Sequence, residues 1–283
     1  MDTAEDLDRY IGQSESAQDI VTARMIAHMG TALGRDDPPP QAGDPLPPGW
    51  QWMVCASAVG PNDTAPDGLP ARGDILPPIP LPRRMWAGGR MTLHQPLRVG
   101  EAVRRVTTIK SAVQKVGRSG PIAFVTIAYD YSGENGLAVA EEMDVAYRAE
   151  RQEGERPPPP QPVPAEAVWQ RTVEPDPVLL FKYSALTFNP HRIHYDRPYT
   201  TDVEGYPGLL VHGPLIATLL LDLIRRNAGR ELASVSYRAM RPLYDTAPFE
   251  VCGAPSDDGE GCVVWALDPE GAVAQQVEGI FAG

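Results

Sequence analysis

The sequence predicts an α+β fold in which two antiparallel sheets are each wrapped around a central helix, and three observations carry that expectation. Residues 214–227 hold Leu215, Ile216, Ala217, Leu219, Leu220, Leu221, Leu223 and Ile224, so a helix here is apolar on nearly every face. At fourteen residues it spans about 21 Å, too short for a bilayer, and must be enclosed by other parts of the chain. Eight further segments alternate or are rich in β-branched residues, and turn residues bound them. Finally, Pro157-Pro158-Pro159-Pro160 interrupts the 283-residue chain just past its midpoint, where neither a helix nor a central strand can cross.

The elements follow in order. Residues 16–33 place Ile20, Ala23, Met25, Ile26, Met29 and Leu33 at helical spacing. Trp50–Ala58, preceded by Pro47-Pro48, is the candidate for the first sheet's enclosed helix. Residues 60–82 contain seven prolines, too many for regular structure. Segments 86–94, 102–114, 121–132 and 137–148 read as antiparallel strands. Beyond the linker, Pro177 to Leu186 predicts a short helix, and Pro214 to Asn227 the enclosed one, with proline in its first turn and Arg225, Arg226 and Arg230 towards its C-terminal end. Segments 231–242, 247–254, 261–267 and 272–281 complete the second sheet. The expected division is 1–150, a linker over 151–165, and 166–283.

The halves also repeat faintly. The first half reads Met91-Thr-Leu-His-Gln-Pro96-Leu97 and the second Tyr237-Arg-Ala-Met-Arg-Pro242-Leu243, and each Pro-Leu is followed by strand-like segments. Each half closes on a glycine-bounded strand, Gly136–Glu142 and Gly271–Val277. Duplication of one supersecondary unit accounts for this pattern.

Composition excludes several classes. A net charge of −12 argues against nucleic acid or an anionic membrane as partner. Three scattered cysteines (Cys55, Cys252, Cys262) make neither a metal site nor a disulfide framework. With no long apolar run and an acidic start, Met1-Asp2-Thr3-Ala4-Glu5, the expectation is a cytoplasmic protein. Glycine-rich phosphate loops and serine nucleophile elbows are absent from the sequence, and His191/His194 lack a third spaced ligand, so no metal is expected.

The chemistry concentrates in Tyr183-Ser-Ala-Leu-Thr-Phe-Asn-Pro-His-Arg-Ile-His-Tyr-Asp196, followed by Val211-His212-Gly213-Pro214. Three of the five histidines fall between 191 and 212. Imidazole moves protons near neutral pH. The start of a helix offers unpaired N–H groups to a developing negative charge. Together they suit the addition or removal of water next to a thioester carbonyl.

These residues resemble the catalytic stretch of the MaoC-like, hot-dog-fold enoyl-thioester hydratases, which runs A-L-S-G-D-x-N-P-x-H-x-D and precedes an H-G helix. Without gaps, from Ala185 to Asp196, the family's essential His falls on His194 and its essential Asp on Asn189. A gapped alternative would put Arg192 in the place of the His; the ungapped one matches both flanks. The variant T-F-N-P-H-x-I-H-Y-D is similar to a two-module branch that includes mesaconyl-C4-CoA (3-methylfumaryl-CoA) and itaconyl-CoA hydratases and 3-hydroxyacyl-thioester dehydratases. The resemblance implies a double hot-dog fold with a degenerate first module shaping the pocket. It further implies a homodimer or higher homo-oligomer, and an acyl-CoA thioester substrate whose coenzyme A is the sole cofactor-like group.

On this reading His194 is the general acid/base and Asn189 orients water and acyl group, because a carboxamide cannot act as a base. His191 either replaces the missing carboxylate or lines the pocket. Gly213 supplies an oxyanion N–H, with His212 beside it, and Asp196 orients a neighbour or caps a turn. The bland readings are a packing histidine, an Asn-Pro turn and a tight helix entry. Arg84, Trp86 and Arg90, within Arg83–Arg90, are candidates for holding the acyl group or a carboxylate on it; Tyr183 and Phe188 complete the pocket. Arg104, Arg105, Lys110, Lys115 and Arg118 form a run without acids, either a solvated strand face or a dock for coenzyme A phosphates. The alternatives to a hydratase are a fatty-acid-type 3-hydroxyacyl-CoA or acyl-carrier-protein dehydratase, an acyl-CoA thioesterase, and a non-catalytic acyl-CoA binding module.

Overall fold

The computed structural model describes residues 7–71, 75–117, 120–149 and 159–283. Residues 151–158 of the expected linker, Arg118 and the first six residues lie outside these. Ten antiparallel strands form one continuous sheet. The first five are β1 (Ser14–Ile20), β2 (Arg83–Leu93), β3 (Ala102–Gly117), β4 (Gly120–Gly133) and β5 (Gly136–Arg148). The second five are β6 (Trp169–Val173), β7 (Leu232–Ala239), β8 (Phe249–Pro255), β9 (Gly261–Leu267) and β10 (Val273–Phe281).

Their order is β1-β3-β4-β5-β2-β7-β10-β9-β8-β6. Read outward from the centre, each half therefore runs second, fifth, fourth, third and first strand, so the same topology occurs twice. The two expected sheets are joined edge to edge by β2 and β7, with Gly88 opposite Arg238 and Thr92 opposite Ser234. Pro96-Leu97 follows β2 and Pro242-Leu243 follows β7, at equivalent places, and both leucines are buried. The faint repeat in the sequence is thus a repeat in topology.

Among the described residues three α-helices accompany the sheet: α1 (Ala23–Ala32), α2 (Pro177–Thr187) and α3 (Gly213–Asn227). The expected helix over 16–33 is half wrong. Ser14–Ile20, polar apart from Ala17 and Ile20, pairs with β3 as an edge strand, and the helix starts only where the Thr22 hydroxyl accepts the Met25 N–H. Six apolar residues at helical spacing overrode the β1 pattern because its exposed edge has no apolar face to announce it. β6 likewise passed unnoticed; it pairs with β8 alone, on the opposite edge.

α3 is buried from Leu215 to Ile224 and lies against β8, β9 and β10. The second half of the sheet covers one side of it. The first half has no such helix: Trp50–Ala58 contains only a single 3-10 turn, Trp50–Met53, after which Cys55 takes a positive φ. That turn is buried nonetheless and joins Met91, Leu97, Leu215, Leu219 and Tyr237 in one core. A Cβ on Gly49 would meet Leu221 at 2.7 Å, so the turn lies directly on α3. Among the described residues no helix is long and apolar enough to cross a membrane.

A fragment of residues 165–283 keeps α3 but loses the turn at Trp50 and the β2 partner of β7. Expressed alone it should be insoluble or inactive, as checked by size-exclusion chromatography and an enoyl-CoA assay; a soluble, fully active fragment would remove the need for the first half.

Candidate active site

Three buried or half-buried imidazoles gather at the start of α3. α2 ends at Phe188, which adopts the left-handed conformation (φ 49°), and this turn sends the chain into Asn189-Pro190. A 3-10 turn, Arg192–His194, then carries His194 inward. Its Nδ1 lies 2.7 Å from the Leu210 carbonyl oxygen. A carbonyl can only accept, so Nδ1 carries the hydrogen and Nε2 holds the free lone pair. His194 stacks on His212, ring centres 3.6 Å apart and 19° from parallel, and His191 stands edge-on to it at 5.5 Å. Because Gly213 directly follows His212, the basic nitrogen and the helix mouth are neighbours.

His212 is fully buried, and its Nε2 lies 2.8 Å from the Ser184 hydroxyl on α2. It makes no side-chain cap on α3. Among the described residues its Nδ1 has no partner. Tyr183 packs edge-on to His212 at 5.1 Å and meets the Thr218 hydroxyl at 3.2 Å, forming the back wall. Burial, then the neighbouring His191, pulls His194 down to about 3. Burial, then the charge of Arg84, pulls His191 to about 3 as well. Burial also carries His212 well below the imidazole range. All three rings are neutral at physiological pH.

Gly213 sits under Trp86 of β2: a Cβ there would lie 2.7 Å from Trp86 Cε3, so only glycine admits the indole. Its N–H opens α3, where the peptide dipoles favour negative charge. Trp86 comes from the first half of the chain, and so does a second contact. The loop at Asp67-Gly68 lies on the segment that carries His191 and His194, with Arg192 N–H donating to the Asp67 carbonyl at 2.8 Å. Gly68 (φ +90°) approaches so closely that a Cβ would be 2.1 Å from the Pro190 oxygen.

The other expected residues distribute as follows. Asn189 Oδ1 accepts the His191 N–H at 3.1 Å, a turn of the Asn-Pro type, while its Nδ2 remains unengaged among the described residues. Arg192 is committed elsewhere, to Asp196 (2.8 Å), the Pro66 carbonyl and the Tyr199 ring, which favours the ungapped match over the one that puts Arg192 in the acid/base place. Asp196 holds Arg192 and accepts the Tyr199 N–H, a capping role. Arg84 is half-buried on the same strand face as Trp86, two residues away, and is not in an ion pair among the described residues. Arg90 is not brought to the site: past the bulge between Trp86 and Gly88 it turns to solvent and pairs with Glu142, which Lys110 also contacts. Phe188 is 56% exposed and lies at the end of α2 rather than against the imidazoles. Ser184, Trp52, Glu141 and Tyr237, which the sequence did not single out, belong to the surroundings of the site: a small polar residue in a helix and a glutamate in a strand give no pattern.

The family description "Hydroxyacyl-thioester dehydratase type 2" matches residues 49–245. The chain belongs to this family. It is also 45% identical over 272 residues, 94% of each chain, to the mesaconyl-C(4)-CoA hydratase of Chloroflexus aurantiacus. Among solved structures, a MaoC-like dehydratase from Phytophthora capsici superposes with a TM-score of 0.71 at 14% identity, covering 99% of both chains. A Mycobacterium tuberculosis protein described as having a double hotdog fold gives 0.56 at 13%, covering 96% of both. These last two establish the fold: the chain is a double hot-dog.

The depressed imidazoles set a pH signature. Each is neutral in the folded protein but titrates near 6.5 when unfolded. Below that value the unfolded chain binds more protons, so stability falls with falling pH by about 1.4 kcal/mol per group per pH unit. The base form of His194 persists until about 3. Activity per folded molecule should therefore stay level from pH 8 to 5 while Tm drops below pH 6.5. An activity that itself titrates near 6.5 at constant Tm would contradict the buried, neutral assignment.

Proposed function

We propose that the chain is a hydro-lyase that adds water reversibly across the 2,3 double bond of mesaconyl-C4-CoA, giving citramalyl-CoA. The observation that carries this reading is the 45% identity over 94% of each chain with a mesaconyl-C(4)-CoA hydratase. The geometry supplies a mechanism for it. His194 Nε2, kept unprotonated by its Nδ1–H bond to Leu210, takes a proton from water as the hydroxyl adds to Cβ. Charge moves onto the thioester oxygen, and the Gly213 N–H with the α3 dipole holds the enolate. The imidazolium returns its proton to Cα, so one molecule of water is added and one imidazole serves both steps. Asn189 Nδ2 steadies the water or the acyl group, and His191 lines the pocket. The reaction needs no group beyond the coenzyme A that the substrate carries.

The family match favours a second reading, dehydration of an unbranched 3-hydroxyacyl thioester. Mass spectrometry of mesaconyl-C4-CoA, crotonyl-CoA and longer enoyl-CoAs for the gain of one water decides between them by relative rate. Release of free thiol instead would indicate a thioesterase, and binding without turnover a non-catalytic module.

His194→Ala should lower kcat by about two to four orders of magnitude with folding intact. Asn189→Ala should cost less and Asn189→Asp should keep activity, since the carboxylate accepts the same His191 N–H. A near wild-type His194→Ala beside an inactive His191→Ala would move the acid/base role to His191.

Arg84 is the proposed partner of the free acyl carboxylate, as a half-buried guanidinium without a counter-ion among the described residues, near enough to His191 to depress it. Replacement by Met should raise KM for mesaconyl-C4-CoA about tenfold or more, the loss of one charged hydrogen bond at about 1.5–3 kcal/mol. Crotonyl-CoA, which has no carboxylate, should change little. Equal losses on both would assign Arg84 to coenzyme A or to the fold.

A further inference from the structure

Behind Trp86 lies a buried acid that the mechanism above does not use. Glu141, on β5, is 2% exposed, and burial pushes its carboxyl up while its donors pull it down. Trp52 Nε1 donates to its two oxygens at 2.9 and 3.0 Å, the Tyr237 hydroxyl donates to one of them, and Gln51 Nε2 reaches the other at 3.4 Å. A buried carboxylate group is retained only where such donors satisfy it, and here all of them come from outside its own strand: Gln51 and Trp52 from the 3-10 turn, Tyr237 from β7 of the other half.

Those donors in turn hold Trp86. Tyr237 stacks on the indole at 4.8 Å and 6° from parallel. Trp52 stands edge-on to both, at 6.5 Å and 82° from Trp86 and at 6.1 Å and 88° from Tyr237. The benzo ring of the indole lies against Gly213, at the mouth of α3. An unbroken line of contacts thus runs from Glu141 through Tyr237 and Trp52 to Trp86 and on to the backbone that faces the reacting thioester. The two rings are aligned by hydrogen bonds rather than by packing alone, because an aromatic stack by itself tolerates sliding.

We propose that Glu141 is a positioning residue: through Trp52 and Tyr237 it fixes Trp86 against Gly213 and so sets the place of the oxyanion N–H. The activity arm of its test rests on the hydratase reading; the spectroscopic arm does not. Glu141→Gln keeps the shape but puts an NH2 donor where one oxygen accepts from Gln51 and shares the Trp52 N–H, so a donor faces donors there and the cluster has to shift. For hydration of mesaconyl-C4-CoA, kcat should fall roughly 10- to 100-fold, as expected when a catalytic group shifts by a fraction of an ångström to about 1 Å. KM should be essentially unchanged, because the lost interaction is made in the transition state. The near-UV circular dichroism of the coupled Trp86–Tyr237 pair should weaken.

Tyr237→Phe removes one oxygen and is the gentler variant. It should lower kcat in the same direction, and the double variant should fall no further than Glu141→Gln alone, since both act on one element. A Glu141→Gln enzyme with wild-type kcat, or one in which only Tm falls, would assign Glu141 to the fold and overturn the proposal; so would full additivity of the two substitutions. If the wild-type protein hydrates no enoyl-CoA, the functional reading fails, and an unchanged near-UV spectrum in Glu141→Gln would then overturn the buttress on its own.

Discussion

A helix with no polar face has to be enclosed on every side, and α3 is such a helix. Each fully buried leucine or isoleucine on it contributes about 1.5–3 kcal/mol only if water is kept from it. One five-stranded half-sheet covers one flank. The remaining cover comes from Leu180 and Tyr183 of α2 and from the other half of the chain, through the turn at Trp50 and the residues Met91 and Leu97. The two halves therefore share one core, and the sheet is continuous because its central pairing, β2 with β7, has to bring both flanks together. Asp222, the charged residue within the buried part of α3, fits the same constraint: Arg35 from the first half and Arg171 and Arg226 from the second surround it, so the charge is compensated where it is buried.

Enclosure also sets the chemistry. The first turn of α3 has N–H groups without intrahelical partners, and it opens beside the buried space of His194 and His212. In such a space the imidazoles of His191, His194 and His212 stay neutral, and a hydrogen bond to developing charge is stronger than it would be in solution. Neutrality alone does not make a base; the orientation of the ring does. The Leu210 carbonyl, on the segment that leads into α3, accepts from Nδ1 of His194 and thereby directs its Nε2 lone pair into the site. The connection that delivers the helix thus also orients the His194 ring, the base of the proposed mechanism.

Much of this was legible beforehand, for physical reasons that differ by element. α3 and the strands β2 to β5 and β7 to β10 announce themselves because burial on one or both faces imposes a period on the sequence. β1 and β6 lie on the two edges of the sheet, where half of each strand faces solvent and the pattern fades. The catalytic segment was readable as a cluster of rare residue types, and His194, His212 and Gly213 do converge. Arg90 was misplaced because one bulge, between Trp86 and Gly88, reverses which face later residues occupy, and a bulge leaves no trace in alternation counts. Glu141 was invisible for the opposite reason: in sequence it is one of two adjacent glutamates on a strand, and only the fold decides that its side chain points inward while Glu142 points out to Arg90 and Lys110.

The duplication explains why the site can be built this way. Two copies of one topology would place two helices in the shared core. Here the first copy has only a four-residue turn in that place. The space this leaves beside α3 is occupied by large side chains of the first half, Trp50, Trp52 and Trp86, and by the loop that lies on Pro190. The shared core is therefore asymmetric although the strand topology repeats. One half presents the helix mouth and the imidazoles; the other presents indoles and Arg84. The two sets of side chains stand on different elements, Arg84 and Trp86 on β2 and the imidazoles on the 3-10 turn and the segment leading into α3. The halves meet at the site where Trp86 rests on Gly213, where the Asp67-Gly68 loop lies on Pro190 and Arg192, and where Arg84 stands near His191, so the packing at these contacts holds the two sets of side chains in register.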